Sequence, residues 1–140
     1  MSYYLSTTLP TAEEYCHLRK IGGVSEKTLD AASLALLRSL FAVCIRNNQT
    51  NELLAMGRVV GDLGCHVQVC DIVVHPDQQG FGLGKQIMAS IMNFIHKEVP
   101  RCAFVNLFAD VDFLYGRYGF VRSEQSIGMY LDWSKLELSH

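Results

Sequence analysis

Apolar positions change their spacing several times along this chain, and those changes outline a mixed α/β fold. Tyr3 to Thr7 is rich in Tyr, Ser and Thr and predicts a short first strand. Thr11-Ala12-Glu13-Glu14 fits a capping box, in which a hydroxyl and a carboxylate cover free N–H groups, so a helix starts there. Ile21-Gly22-Gly23 ends that helix, and a second helical stretch runs from about Glu26 to Leu37. Phe41 to Arg46, Leu53 to Val60 and His66 to Val74 read as strands separated by short polar or glycine turns. Connections this short predict an antiparallel meander.

At Leu83 the period becomes helical. Leu83, Ile87, Ile91 and Ile95 recur every four residues, with Met88, Met92 and Phe94 widening the stripe, and Glu98-Val99-Pro100 closes it. Cys102 to Phe108 predicts another strand, and Asp110 can cap a short helix through Tyr115. Gly119-Phe120 then leads into a last strand pair ending near Trp133. No repeat, low-complexity tract or linker interrupts the pattern, which predicts a single domain over residues 1–140.

Composition narrows the function. A length of 140 residues with 49% hydrophobic and 19% charged positions suits a domain with a real core. The formal charge of −2 gives no global attraction for nucleic acid or an anionic membrane, so any anion site must be local. No apolar run is long enough to span a bilayer, and Met1-Ser2-Tyr3-Tyr4 lacks a secretory pattern, so the expected location is cytoplasmic. Five cysteines without a C-x-x-C pair read as small hydrophobes, and the five histidines show no metal-ligand spacing. No metal is predicted.

The chemistry concentrates in Val73 to Lys85, where a β-branched run ends at Pro76 and Gly80, Gly82 and Gly84 alternate before the helix. A strand leading through such a turn into a helix N-terminus gathers backbone N–H groups and a positive dipole end, which suits a phosphate-bearing ligand. Two familiar phosphate loops do not fit. G-x-x-x-x-G-K-[ST] meets Gln79 and Gln86 where it needs glycine and a hydroxyl, and G-x-G-x-x-G meets Lys85 where it needs glycine. A third pattern, Q/R-x-x-G-x-G/A, is satisfied by Gln79, Gly82 and Gly84. With Val74 and Pro76 upstream, and with Leu114-Tyr115-Gly116-Arg117-Tyr118-Gly119-Phe120 as a second signature, the chain resembles the GCN5-related N-acetyltransferase (GNAT) superfamily, especially its small-amine branch.

The resemblance implies a mostly antiparallel central sheet flanked by helices and splayed at the coenzyme-binding strand. It implies acetyl-CoA as co-substrate, held by Gln79, Gly80, Phe81, Gly82, Leu83, Gly84 and Lys85, with the pantetheine arm along Ile72, Val73 and Val74. The acceptor would be a primary amine on a small molecule, acetylated directly in a ternary complex without an acyl-enzyme. Tyr115 is implied as the acid that protonates the leaving thiolate. Two routes for the amine proton stay open: Asp71 as direct base, or a water chain, with Asp71 then shaping a bulge. Gln68 stands where some members carry a glutamate base and cannot do that job. The thioester carbonyl would be polarised by a backbone N–H at Val73.

Simple alternation puts Gln68, Cys70, Ile72 and Val74 on one face of this strand and Val67, Val69, Asp71 and Val73 on the other. One departure from the family lies at Phe108, where many members carry an asparagine that supports the pantetheine arm; Asn106 is two residues earlier. The acceptor pocket is expected between the two early helices, the strand carrying Arg58 and the C-terminal strand pair, with residues 21–25 as a lid. Arg58 can recognise a carboxylate or phosphate, or can serve in an ordinary salt bridge. Two other readings compete: a coenzyme-binding sensor module without catalysis, and a protein N-acetyltransferase. The apolar segment Met129 to Trp133 also suggests a homodimer contact.

Overall fold

The computed structural model describes residues 2–109 and 112–136. Strand β1 (Tyr3–Ser6) is followed by helices α1 (Ala12–Ile21) and α2 (Leu29–Leu37), and then by the meander β2 (Phe41–Asn47), β3 (Leu53–Gly61) and β4 (His66–Val74). Helix α3 (Leu83–Glu98), strand β5 (Phe104–Asn106) and the short helix α4 (Asp112–Gly116) complete the order. The five strands form one sheet in the order β1-β2-β3-β4-β5, antiparallel except for the parallel β4–β5 pair. This is the expected architecture. Among the described residues no helix is long and apolar enough to cross a membrane.

Local chemistry explains the helix starts. The α1 capping box forms as predicted: the Glu14 N–H donates to Thr11 Oγ1 at 3.1 Å and the Thr11 N–H donates to Glu14 Oε1 at 2.9 Å. The same carboxylate receives Arg46 of β2 at 2.6 and 3.0 Å, which ties α1 to the sheet. Helix α2 starts later than the pattern suggested, because Thr28 rather than an earlier residue supplies the N-cap. Helix α3 buries Leu83, Ile87, Met88 and Ile91 on one face of the sheet, against Val43, Ile45, Val59, Val67 and Val69. Each such side chain contributes about 1.5–3 kcal/mol relative to exposure. Helices α1 and α2 cover the other face through Tyr15, Leu18, Ala32 and Leu36.

Two irregularities in β4 make the site. The first is a bulge. Met56 pairs with Val73 and Arg58 with Cys70, so Gly57 alone opposes both Asp71 and Ile72, and Asp71 takes a left-handed φ of 57°. This corrects the simple alternation. Val67, Val69, Ile72 and Val74 face α3, whereas Asp71 and Val73 face α1 and α2, because the extra residue shifts the pleat by one. Gly57 is required there: a Cβ would stand 2.6 Å from Ile87 Cγ2 and 2.8 Å from Ile72 Cδ1. The second irregularity is a splay. Among the described residues the parallel pairing to β5 covers His66 to Gln68, and β4 continues to Val74 with that edge unpaired.

Beyond β5 the expectation fails. The predicted strand Cys102 to Phe108 shortens to Phe104–Asn106. The strand pair expected between Gly119 and Trp133 does not form among the described residues; residues 120–132 carry no strand pairing, and a 3-10 turn follows at Trp133–Lys135. Val121, Ile127, Met129 and Tyr130 lie between 85% and 90% exposed. Ser123 closes a local turn with Ser126 in this stretch. The proposed cap at Asp110 lies outside the described residues.

Candidate active site

The turn between β4 and α3 begins rigid and ends open. The His75 N–H donates to the Leu54 carbonyl at 2.7 Å, and Tyr3 OH donates to Oε1 of the buried Gln78 at 2.6 Å. Gln78 was not singled out from the sequence; its neighbour Gln79 was, and Gln79 is the exposed one. Gly80 and Gly82 adopt φ of 87° and 81°, and a Cβ on either would meet nothing within 4 Å. They leave a bare main-chain concavity. Gly82 caps α3 without a side-chain hydrogen bond, and the first helical bond runs from Gln86 N–H to the Gly82 carbonyl. The N–H groups of Leu83, Gly84 and Lys85 therefore have no partner within the helix.

The remaining turn residues divide by role. Phe81 and Lys85 are exposed beside the concavity, whereas the Leu83 side chain is core and offers only its N–H. Gly84 packs between Leu114 and Val74. Ile72, Val73 and Val74 lie on the part of β4 whose β5-side edge is unpaired. The geometry thus brings the glycine turn, the helix end and an open strand edge into one continuous surface.

Tyr115 sits where this surface meets a second one. It lines a cleft of about 820 Å³ together with Ile72, Val73, Asp71 and Arg58. Its ring packs edge-on to Phe120, with centroids 6.4 Å apart. Tyr118 is distinguished from it: its hydroxyl donates to the Lys85 carbonyl at 3.1 Å, and it does not line this cleft. Phe108 does line it, and Asn106 is directed elsewhere, donating to the Val67 carbonyl at 3.4 Å where the β4–β5 pairing ends.

The floor of the cleft is a charged cluster that the sequence revealed only in part. Asp71, with a side chain 7% exposed, accepts from Tyr15 OH at 2.6 Å and Arg58 Nε at 2.8 Å through Oδ2, and from Arg19 Nη1 through Oδ1. Arg19 also donates to the Ser25 carbonyl and hydroxyl at 2.8 and 3.0 Å, and Arg58 to the Ala35 carbonyl and Ser39 hydroxyl at 3.2 and 2.9 Å. Both guanidiniums lie 5.6 Å from the Tyr15 ring centroid. Burial, and then the Asp71 carboxylate, push the Tyr15 phenol up to about 12. Burial likewise pushes the Cys70 thiol up to about 11, with Asp71 adding to it. Burial opposes charge on Arg58 most strongly, but the bond to Asp71 together with the electrostatic pull of Cys70, Asp71 and Tyr15 outweighs it and holds Arg58 above its ordinary value.

Tyr15 and Arg19 were missed as site residues, and Ser25, expected as part of a lid, instead holds Arg19. The available signal was the four-residue spacing of Tyr15 and Arg19, which places both on one face of α1. Nothing local tied that face to Arg58 or Asp71.

The chain thus sets bare main-chain donors beside a splayed strand, with the Tyr115 phenol at their junction, in a fold of the acetyltransferase class. Residues 38–122 match the family described as an acetyltransferase (GNAT) domain, and the chain belongs to that family. An uncharacterized N-acetyltransferase ycf52 of Porphyra purpurea is 29% identical over 136 residues, covering 91% of this chain and 75% of that protein. The corresponding protein of Gracilaria tenuistipitata var. liui is 34% identical over 59% of this chain and 46% of its own length. The crystal structure of a probable acetyltransferase of unknown function from meticillin-resistant Staphylococcus aureus superposes with a TM-score of 0.87 at 38% identity, covering 94% of this chain and 99% of that one. Glucosamine-6-phosphate N-acetyltransferase from Arabidopsis thaliana shares the fold alone, with a TM-score of 0.67 at 16% identity over 94% of this chain and 100% of that one.

Proposed function

We propose that this protein moves the acetyl group of acetyl-CoA to a primary amine of a small molecule, by direct transfer in a ternary complex. The observation that carries this reading is the continuity of three features: the bare turn at Gly80 and Gly82, the unpaired β4 edge at residues 69–74, and Tyr115 at the mouth of the cleft beyond them. In this reading the N–H groups of Leu83, Gly84 and Lys85 hold the pyrophosphate, with Gln79, Gly80, Phe81 and Gly82 around it. Ile72, Val73 and Val74 offer their main chain to the pantetheine arm as an added strand would use it. Acetyl-CoA, when bound, supplies an activated acyl carbon with a thiol leaving group.

The chain's own residues then have defined tasks. A main-chain N–H on the open side of β4 polarises the acyl oxygen; the Val73 N–H is turned into the β3–β4 ladder, as the His75 N–H two residues on donates to the Leu54 carbonyl. Tyr115 gives its phenolic proton to the departing sulfur as the new N–C bond forms and the C–S bond breaks. The amine proton passes to water in the cleft. Asp71 is a poor direct base because three donors already occupy its oxygens, and it serves as the anchor of Arg19, Arg58 and Tyr15. Direct transfer is favoured over an acyl-enzyme because Cys70, which lines the cleft, is held as a neutral thiol.

The test is release of free thiol from acetyl-CoA in the presence of amine acceptors, with coenzyme binding followed separately by calorimetry. Tyr115→Phe is expected to lower kcat by about 100-fold or more with little change in coenzyme affinity. Undiminished activity at every pH would remove Tyr115 from the mechanism, and absence of coenzyme binding by the native protein would end the reading altogether.

A further inference from the structure

We propose that the acceptor amine also carries an oxyanion, a carboxylate or a phosphate, and that Arg58, with Arg19 beside it, recognises that group. This rests on the acetyltransfer reading above and names its substrate class. The argument starts from charge balance in the cleft. Among the described lining residues Arg19, Lys27 and Arg58 are cationic and Asp71 alone is anionic. The two arginine side chains are only 9% and 10% exposed, so one buried carboxylate serves two buried guanidiniums. A buried guanidinium in excess of its carboxylates is costly in a structure unless another anion completes the site.

The donor inventory points the same way. Arg58 spends Nε on Asp71 and Nη1 on Ala35 and Ser39. Its Nη2 has no protein partner among the described residues. No buried side-chain nitrogen is left without a partner there, so Nη2 reaches the accessible surface of the cleft that Arg58 lines. The rest of the guanidinium is fixed by four neighbours: Asp71, Ala35, Ser39 and the Tyr15 ring. A donor held this rigidly is pre-organised for an oxyanion, and its charge makes the bond stronger than a neutral one. Tyr115 and Val73 line the same cleft, so an amine placed at the acyl carbon and an oxyanion placed at Arg58 can belong to one small molecule.

The experiment compares acceptors of matched length in the thiol-release assay: 3-aminopropyl phosphate and 4-aminobutyrate against 3-amino-1-propanol and 1,3-diaminopropane. The expected result is a kcat/KM at least ~10-fold higher for one or both anionic acceptors, as a charged hydrogen bond supplies; the two anionic arms separate phosphate from carboxylate. Arg58→Gln should collapse that ratio to within about twofold while leaving coenzyme affinity unchanged. Preference for the neutral or dicationic acceptor overturns the proposal and leaves acetyltransfer standing. Should no acceptor release thiol although acetyl-CoA binds, the transfer reading fails. The anion site is then judged by calorimetry with 3-aminopropyl phosphate on the native, CoA-bound protein: saturable binding supports it, and absence of binding overturns it.

Discussion

Along β4, two donor-rich surfaces meet that are made from different parts of the chain. Toward the glycine turn the surface is main chain: N–H groups at the start of α3, and glycines whose left-handed φ values leave open space. Toward α1 and α2 it is side chain, with guanidiniums held by a carboxylate, a phenol and two hydroxyls, the cluster being drawn from α1, β3, β4 and the segments that follow the helices. A main-chain site depends on backbone conformation and tolerates change in most side chains. A side-chain site depends on mutual neutralisation, so removing one member leaves the others uncompensated.

That contrast can be broken by substitution. The largest effect is expected from Asp71→Asn, which strands two buried arginines. It should lower stability by about 3–5 kcal/mol in denaturant unfolding, while calorimetric coenzyme affinity stays nearly unchanged. A large loss of coenzyme affinity in the folded variant would show that the two surfaces are not separable. Gly82→Ala should act in the opposite sense. A side chain at φ of 81° costs about 1–2 kcal/mol, and its Cβ projects into the open space beside the turn, so coenzyme affinity should fall while the acceptor preference persists. An unchanged affinity would remove Gly82 from the cradle.

The smallest effect on activity is expected at Cys70. Its thiol is raised from 9.0 to about 11, so the neutral form persists across the physiological range. At pH 8 the thiolate fraction is then roughly 100-fold below that of an ordinary thiol. Alkylation followed by mass spectrometry should label exposed Cys65 and Cys102 first, and Cys70 only as pH approaches 11. Cys70→Ala should keep kcat within about twofold. Rapid labelling of Cys70 at pH 7, or loss of turnover in that variant, would reopen a covalent route.

The same division explains what could be read in advance. The main-chain surface is contiguous in sequence, and Gln79, Gly82, Gly84 and the stripe from Leu83 mark it without reference to anything distant. The side-chain surface unites Tyr15, Arg19, Ser25, Arg58 and Asp71, which only the packing of α1 on the sheet brings together. Arg58 was noticed because it interrupts an apolar strand, but its partner was not predictable. The C-terminal strands were misread for a related reason. Alternation in Met129 to Trp133 satisfies the local requirement for a strand, yet pairing also needs a partner edge, and β5 is only three residues long.

The bulge opposite Gly57 carries one last consequence. It works as a frame shift in three dimensions: everything in β4 after it is turned over relative to the count from His66. Pairing the strand as an unbroken zigzag with every residue kept would turn Ile72 and Val74 out of the α3 interface toward the cleft that Arg58 lines. No single side-chain exchange could undo that rotation. Loss of Asp71 itself would leave Ile72 and Val74 in the core, yet it would take from between Arg19 and Arg58 the one carboxylate they share, so the bulge's extra residue is what joins the strand to the charged cluster.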